Sequence, residues 1–190
     1  MPDDSGSPRE ADACRVPDGA VLLADPAQVA AIFDRLAGEI ADRLTGRRPL
    51  LLAILEGGRM PATEISRRLT IPHDTDTLKV GRYGDSETGG RLTWHRPPDS
   101  PLEGRTVVIV DDILDRGVTL GAVAEQCRRQ GAAEVLTCVL TEKDIPGRLS
   151  CVTPDFRGIF VPDRFIVGCG MDYRGRWREL PGLYALEDSS

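Results

Sequence analysis

The chain lacks what would tie it to a membrane, a nucleic acid or an oxidising compartment. No apolar run approaches the ~20 residues that a bilayer span requires. Basic residues are outnumbered, 24 Lys and Arg against 30 Asp and Glu, and the net charge of −6 argues against a nucleic-acid-binding face. Five cysteines (Cys14, Cys127, Cys138, Cys151 and Cys169) make an odd number without metal-ligand spacing. Cys127 and Cys138 fall in apolar periodic segments and predict small reduced core residues, as in a cytoplasmic protein. The opening segment, residues 1–18, is rich in Asp, Pro, Ser and Gly and lacks the basic-then-apolar layout of a signal peptide. It reads as a flexible tail extending to about residue 20. No internal repeat is present. With 190 residues, 41% of them hydrophobic, the remainder, 21–190, predicts a single domain with a proper core.

What is present centres on one stretch. Val107-Val108-Ile109-Val110 is an unalternating β-branched run, as in a strand buried on both faces. Asp111 and Asp112 follow, then Ile113-Leu114, then Asp115-Arg116-Gly117-Val118-Thr119. Leu120, Val123, Ala124 and Cys127 next share one helical face, and Gly131 stops the helix. Strand, acidic edge, Gly-containing turn and helix N-terminus form a phosphate cradle. Gly117 lets the backbone close on the anion, and Thr119 adds a hydroxyl. Asp111 and Asp112 would repel a phosphate in contact, but suit sugar hydroxyls or hydrated Mg²⁺ nearby. A phosphorylated ribose meets all three demands.

The rest of the chain alternates strands and helices. Asp25-Pro26 predicts an N-cap and first helical residue, with Val29, Ile32, Phe33, Leu36, Ile40 and Leu44 on one face of a helix over 26–44. A buried strand is predicted over 49–55, a tight turn at Glu56-Gly57-Gly58 and a helix over 59–69. A strand follows over 75–83. His73 at its entry reads as a solvated loop residue without a role. The polar excursion that begins at Tyr83-Gly84-Asp85-Ser86 and resumes strand character at 91–95 reads as a hairpin or a lid. Further strands are predicted over 134–141, 165–168 and, at an edge, 183–186. This pattern predicts an α/β domain with a mostly parallel sheet, ligands meeting beyond the carboxyl ends of its strands.

Residues 107–119 resemble the binding motif for 5-phosphoribosyl-1-pyrophosphate (PRPP) of the type I phosphoribosyltransferases: four apolar residues, two acids, two apolar residues, then Asp-x-Gly-x-Thr. A second segment resembles the carboxy-terminal hood of the hypoxanthine-guanine phosphoribosyltransferases. It runs Pro154-Asp155-Phe156-Arg157-Gly158, Pro162-Asp163-Arg164-Phe165-Ile166-Val167-Gly168, Asp172-Tyr173 and Arg178. Arg82-Tyr83, Thr88-Gly89-Gly90 and Met171-Asp172-Tyr173 look closest to the bacterial branch.

The resemblance implies the type I phosphoribosyltransferase fold, a central mostly parallel sheet flanked by helices, with a small hood mainly over 154–187. It implies Asp111, Asp112, Asp115, Arg116, Gly117, Val118 and Thr119 at PRPP, with Asp115 as the catalytic acceptor of, or hydrogen-bond partner to, the purine N7 proton. Glu56, Gly57 and Arg178 would meet pyrophosphate. Lys143, just past its strand, would donate to the purine O6; Phe165 would stack on the ring, and main-chain groups of Ile166 and Asp172 would meet its edge. Mg²⁺ would be held by Asp111 and Asp112, and a second by Asp172. Tyr83, Gly84, Asp85 and Ser86 would belong to a lid. Homodimers or homotetramers are usual in the family.

Two positions depart from the common pattern: Arg116 stands where Thr is usual, and Glu56 where Lys is frequent. An acid at 56 adds repulsion near the leaving group unless its side chain turns away. The implied reaction is transfer of phosphoribose to hypoxanthine or guanine. The alternatives are a xanthine-guanine preference, set at the purine C2 substituent, and a non-catalytic PRPP sensor. The presence of Asp115 and Lys143, and an acidic net charge with no extra domain, disfavour the sensor.

Overall fold

The computed structural model describes residues 15–82, 92–145 and 152–187. Its first strand, β1 (Val21–Ala24), leads into α1 (Pro26–Arg43). Asp25 accepts from the Gln28 amide and Gln28 accepts from the Asp25 amide, each at 2.8 Å. This reciprocal cap satisfies two of the amides that a helix start leaves unpaired. The predicted apolar stripe of α1 is buried.

Six strands form the main sheet. β2 (Leu50–Leu55), β3 (Asp74–Arg82), β5 (Thr106–Leu114), β6 (Glu134–Asp144) and β7 (Phe156–Pro162) are parallel, and β4 (Leu92–Arg96) pairs antiparallel with β3 at one edge. The spatial order is β4-β3-β2-β5-β6-β7. The two central strands are buried on both faces. Leu51, Ala53, Val108 and Val110 pack with α1 and α2 (Arg59–Arg68). Leu50, Leu52, Ile54, Val107 and Ile109 pack with α3 (Val118–Arg129). Continuous apolar runs rather than alternation are the signature of that arrangement.

Three predicted boundaries shift. β5 does not end at the acids: pairing with β6 continues through Ile113↔Thr141 and Leu114↔Glu142, so Asp111 and Asp112 lie within the strand. β6 likewise runs on to Asp144, which places Lys143 inside it rather than beyond it. α3 starts at Val118, with Gly117 as its left-handed N-cap at φ 76°, so Thr119 belongs to the first turn.

A smaller sheet, β1-β9-β8, joins the two ends of the described chain: β9 (Leu183–Ala185) pairs antiparallel with both β1 and β8 (Ile166–Val167). The segment assigned to the hood from 154 is therefore divided. Its first part, β7, is an edge strand of the main sheet, and its later part enters the small sheet together with β1, a strand not predicted from the sequence. Phe165 precedes β8. Leu186 follows β9, and its amide donates to the Phe165 carbonyl at 2.8 Å. Cys127, Cys138 and Cys169 are buried and reduced. His73 is bound: Ser66 Oγ lies 2.8 Å from Nε2, and the Ile71 carbonyl 2.9 Å from Nδ1.

Candidate active site

In chain order the sheet runs outward from β2 to β3 on one side and from β5 through β6 to β7 on the other. The reversal falls between β2 and β5, where an open α/β sheet leaves a crevice beyond its strand ends. The Glu56 turn leaves β2 there, and the two acids follow the continuous buried run of β5.

These two segments touch. A β-carbon on Gly57 would overlap the Asp112 carboxylate, and one on Gly170 would overlap the Gly57 carbonyl. The turn is thus clamped between strand β5 and the hood, and only glycine fits at either contact. The Leu55–Glu56 peptide in this turn is cis. Thr141, buried on β6, donates to the Asp112 carbonyl at 3.1 Å and lies 3.7 Å from the Met171 sulfur. It fastens the acidic strand to the hood.

Asp111 and Asp112 are half-buried neighbours. Burial first, and the Asp112 charge second, push the Asp111 carboxyl well above its ordinary pKa. Burial also raises Asp112, opposed by its hydrogen bonds and by the Arg178 charge. Asp112 Oδ1 accepts the Ile113 amide at 2.8 Å, and Asp111 Oδ1 the Asp112 amide at 3.0 Å. The pair is costly as built, which is the behaviour of a site made for a cation or for hydroxyl donors.

With these acids, the following residues through Leu120 line a cavity of about 220 Å³. The left-handed Gly117 folds the chain back so that the loop and the first turn of α3 face the same space. Arg116 is exposed at its rim.

Lys143 reaches the far side of this loop. Its ammonium lies 3.0 Å from Asp163 and 4.0 Å from Asp115, and the side chain is only 15% exposed. The structure thus brings three of the sequence-predicted groups, Asp115, Gly117 and Lys143, to one edge. It adds Asp163, a hood-motif residue to which spacing along the chain assigns no role. Phe165 is 63% exposed, so it is no core aromatic. Its ring meets Tyr173 edge-on at 5.0 Å. Ile166 has its side chain buried and pairs with Ala185, leaving only its main chain for a ring edge.

Arg178 donates to the Gly170 carbonyl at 2.8 Å and pairs with Asp172 at 2.5 Å. The other Asp172 oxygen accepts the Gly175 amide at 2.6 Å. Both Asp172 oxygens thus take one partner each, which leaves lone pairs for a further ligand. Among the described residues, no three His, Cys, Asp or Glu side chains form a metal cage. Glu56 does not project an uncompensated charge: Arg59 holds it at 2.7 Å and Lys79, from β3, at 3.2 Å. Neither cation was singled out from the sequence. The expected lid residues, Tyr83, Gly84, Asp85 and Ser86, lie outside the described residues.

A family model described as a phosphoribosyl transferase domain matches residues 22–174. The hypoxanthine-guanine phosphoribosyltransferase of Lactococcus lactis is 32% identical over 152 residues, which covers 79% of this chain and 82% of the relative. The hypoxanthine-guanine-xanthine phosphoribosyltransferase of Tritrichomonas foetus is 28% identical over 154 residues, 81% and 84% of the two chains. Among solved structures, the hypoxanthine phosphoribosyltransferase of Trypanosoma cruzi in complex with the product IMP superposes with a TM-score of 0.84 at 25% identity. The match covers 92% of this chain and 98% of that one.

Proposed function

Since the chain belongs to the phosphoribosyltransferases, in their hypoxanthine-guanine branch, we propose that it moves the phosphoribosyl group of PRPP onto hypoxanthine or guanine, giving IMP or GMP and pyrophosphate. It is a pentosyltransferase of purine salvage. The observation that carries the assignment of residues is the 220 Å³ cavity lined by 111–120, with Lys143 standing between Asp115 and Asp163 at its edge.

In this reading the 5-phosphate settles in the loop 115–119, against Gly117, Thr119 and the start of α3, where the helix dipole favours an anion. Arg116 adds charge from the rim. Asp111 and Asp112 take the ribose hydroxyls. Phe165 offers its exposed face to the purine, with the main chain of Ile166 and Asp172 along the ring edge. Lys143 donates to O6, held there by Asp163. Asp115 accepts the N7 proton, or a hydrogen bond from it, as the ring nitrogen attacks C1 of ribose. Arg178 and the Gly57 turn lie on the leaving-group side.

The donor set fits Mg²⁺. Two adjacent carboxylates whose charges are disfavoured by burial, and at Asp111 also by its neighbour, suit a hard cation. Mg²⁺ keeps most of its oxygen ligands from substrate and water, so a pair of carboxylates suffices. Asp111 and Asp112 would hold it, and Asp172 a second. When bound, Mg²⁺ offsets negative charge developing on pyrophosphate.

No helix among the described residues is long and apolar enough to cross a membrane. Our reading is of a cytoplasmic homodimer or homotetramer, an assembly that equilibrium sedimentation tests directly. Turnover with PRPP and Mg²⁺, run in parallel on hypoxanthine, guanine, xanthine and adenine, tests the function. Activity on at least one of the first two, and none on adenine, is the expected result. Inactivity on all three 6-oxopurines overturns the proposal.

A further inference from the structure

The turn at 56–58 leaves β2 with an acid at its first position, yet the surrounding groups are cationic. Arg59 donates to one Glu56 oxygen at 2.7 Å, and Lys79 donates to the other at 3.2 Å. Arg178 is close enough that its charge, with those of Arg59 and Lys79, helps to hold the Glu56 carboxyl below its ordinary pKa; the Lys79 hydrogen bond is the largest cause. Beside this pairing opens a cleft of about 410 Å³ reached by Glu56, Arg59, Arg178 and Gly170. Glu64 and Glu179 also line it. Glu64 is already bound to Arg67 and Arg68.

Lys79 and Glu56 are half-exposed, so the pair stabilises the fold little. Two cations paired to one half-exposed carboxylate, with Arg178 near enough for its charge to be felt, are instead placed for a stronger anion. We propose that Glu56 is an internal counter-anion: it occupies Lys79 and Arg59 until the pyrophosphate of PRPP displaces it, and those two cations then bind the leaving group. Charge at the turn is thereby supplied from β3 and from the first turn of α2 instead of from position 56. The acid that looked repulsive in the sequence becomes a self-competitor, which lowers affinity for PRPP while keeping the cations in place.

This inference rests on the reading that pyrophosphate lies at the 56–58 turn. The test uses the full chain, with KM for PRPP, KM for hypoxanthine and kcat measured separately, and titration calorimetry of inorganic pyrophosphate with Mg²⁺. Lys79→Met should raise KM for PRPP about tenfold, the scale for losing one charge-assisted hydrogen bond. KM for hypoxanthine should not move, and Lys79→Arg should restore most of the loss. Glu56→Gln should do the opposite, tightening pyrophosphate binding several-fold. That gain should disappear when Glu56→Gln is combined with Lys79→Met, since the competitor then has nothing to release. Weaker pyrophosphate binding in Glu56→Gln, or an unchanged KM for PRPP in Lys79→Met, overturns the proposal. Arg178→Gln separates the two levels. If it weakens pyrophosphate while the Lys79 and Glu56 variants are silent, the counter-anion idea fails and the location survives. If all of them are silent, the location fails as well.

Discussion

Gly57 and Asp112 are in van der Waals opposition across the β2–β5 switch, so close that no β-carbon fits at Gly57 without displacing the carboxylate. In the proposed site one residue leads toward the leaving group and the other toward the ribose. Their contact fixes the distance between the two halves of the proposed PRPP site.

Gly57→Ala therefore tests this geometry. The added methyl should cost about 1–3 kcal/mol of stability, as overpacking does. It should also cut turnover far more than such destabilisation explains, because Asp112 must move. Thermal unfolding and steady-state kinetics on the same preparation check it. A variant with wild-type turnover shows that the contact has no functional weight.

Asp115→Asn keeps the shape of the loop and removes the proton acceptor. Turnover should fall by about 10²–10⁴, the range for loss of a general acid or base. PRPP binding, measured calorimetrically in the absence of purine, should be largely retained. Unchanged turnover removes Asp115 from the catalytic role.

Lys143→Met leaves Asp115 and Asp163 without the cation that both face. The value of kcat/KM for hypoxanthine should drop about 10- to 100-fold, from one charge-assisted hydrogen bond to O6. The effect should fall chiefly on the purine, with little change in KM for PRPP. A loss confined to PRPP places Lys143 elsewhere in the reaction.

Asp111 sets a pH dependence of stability. Its folded pKa lies above the unfolded value of 3.8 because burial and Asp112 disfavour the charge. Below that value both states hold the proton and the residue is neutral to folding. As pH rises, the unfolded chain ionises first, so stability is lost until the folded group titrates as well. Asp111→Asn abolishes this. In EDTA the variant should gain melting temperature over the native protein at pH 7, and the gap should close near pH 4. A difference that does not vary with pH contradicts the assigned shift.

Several elements were misjudged from sequence for identifiable reasons. The acids at 111 and 112 look like the end of a strand, because an apolar run stops there. Backbone pairing with β6 does not depend on side-chain polarity and carries on to Leu114. β7 was not predicted because Gly158 and Pro162 interrupt it. At a sheet edge both are tolerated, and Gly158 is required, since the Leu140 carbonyl occupies the place of its β-carbon. β1 is four residues long with Val21 and Leu22 exposed, too little pattern to register. Its partner, β9, lies at the other end of the chain.

The sequence alone determined the central strand, the three helices of the described residues and the Gly117 turn between strand and helix, because each depends on neighbours within about a dozen residues. A doubly buried run, a glycine able to take φ 76° and an Asp-Pro helix start act through local backbone and remain legible in order. Tertiary structure alone decided which charges meet. Glu56 with Lys79, Lys143 with Asp163 and Gly57 with Asp112 join strands set side by side by the sheet order. Coulombic and steric contacts of that kind depend on distance in space, which strand order fixes and spacing along the chain does not.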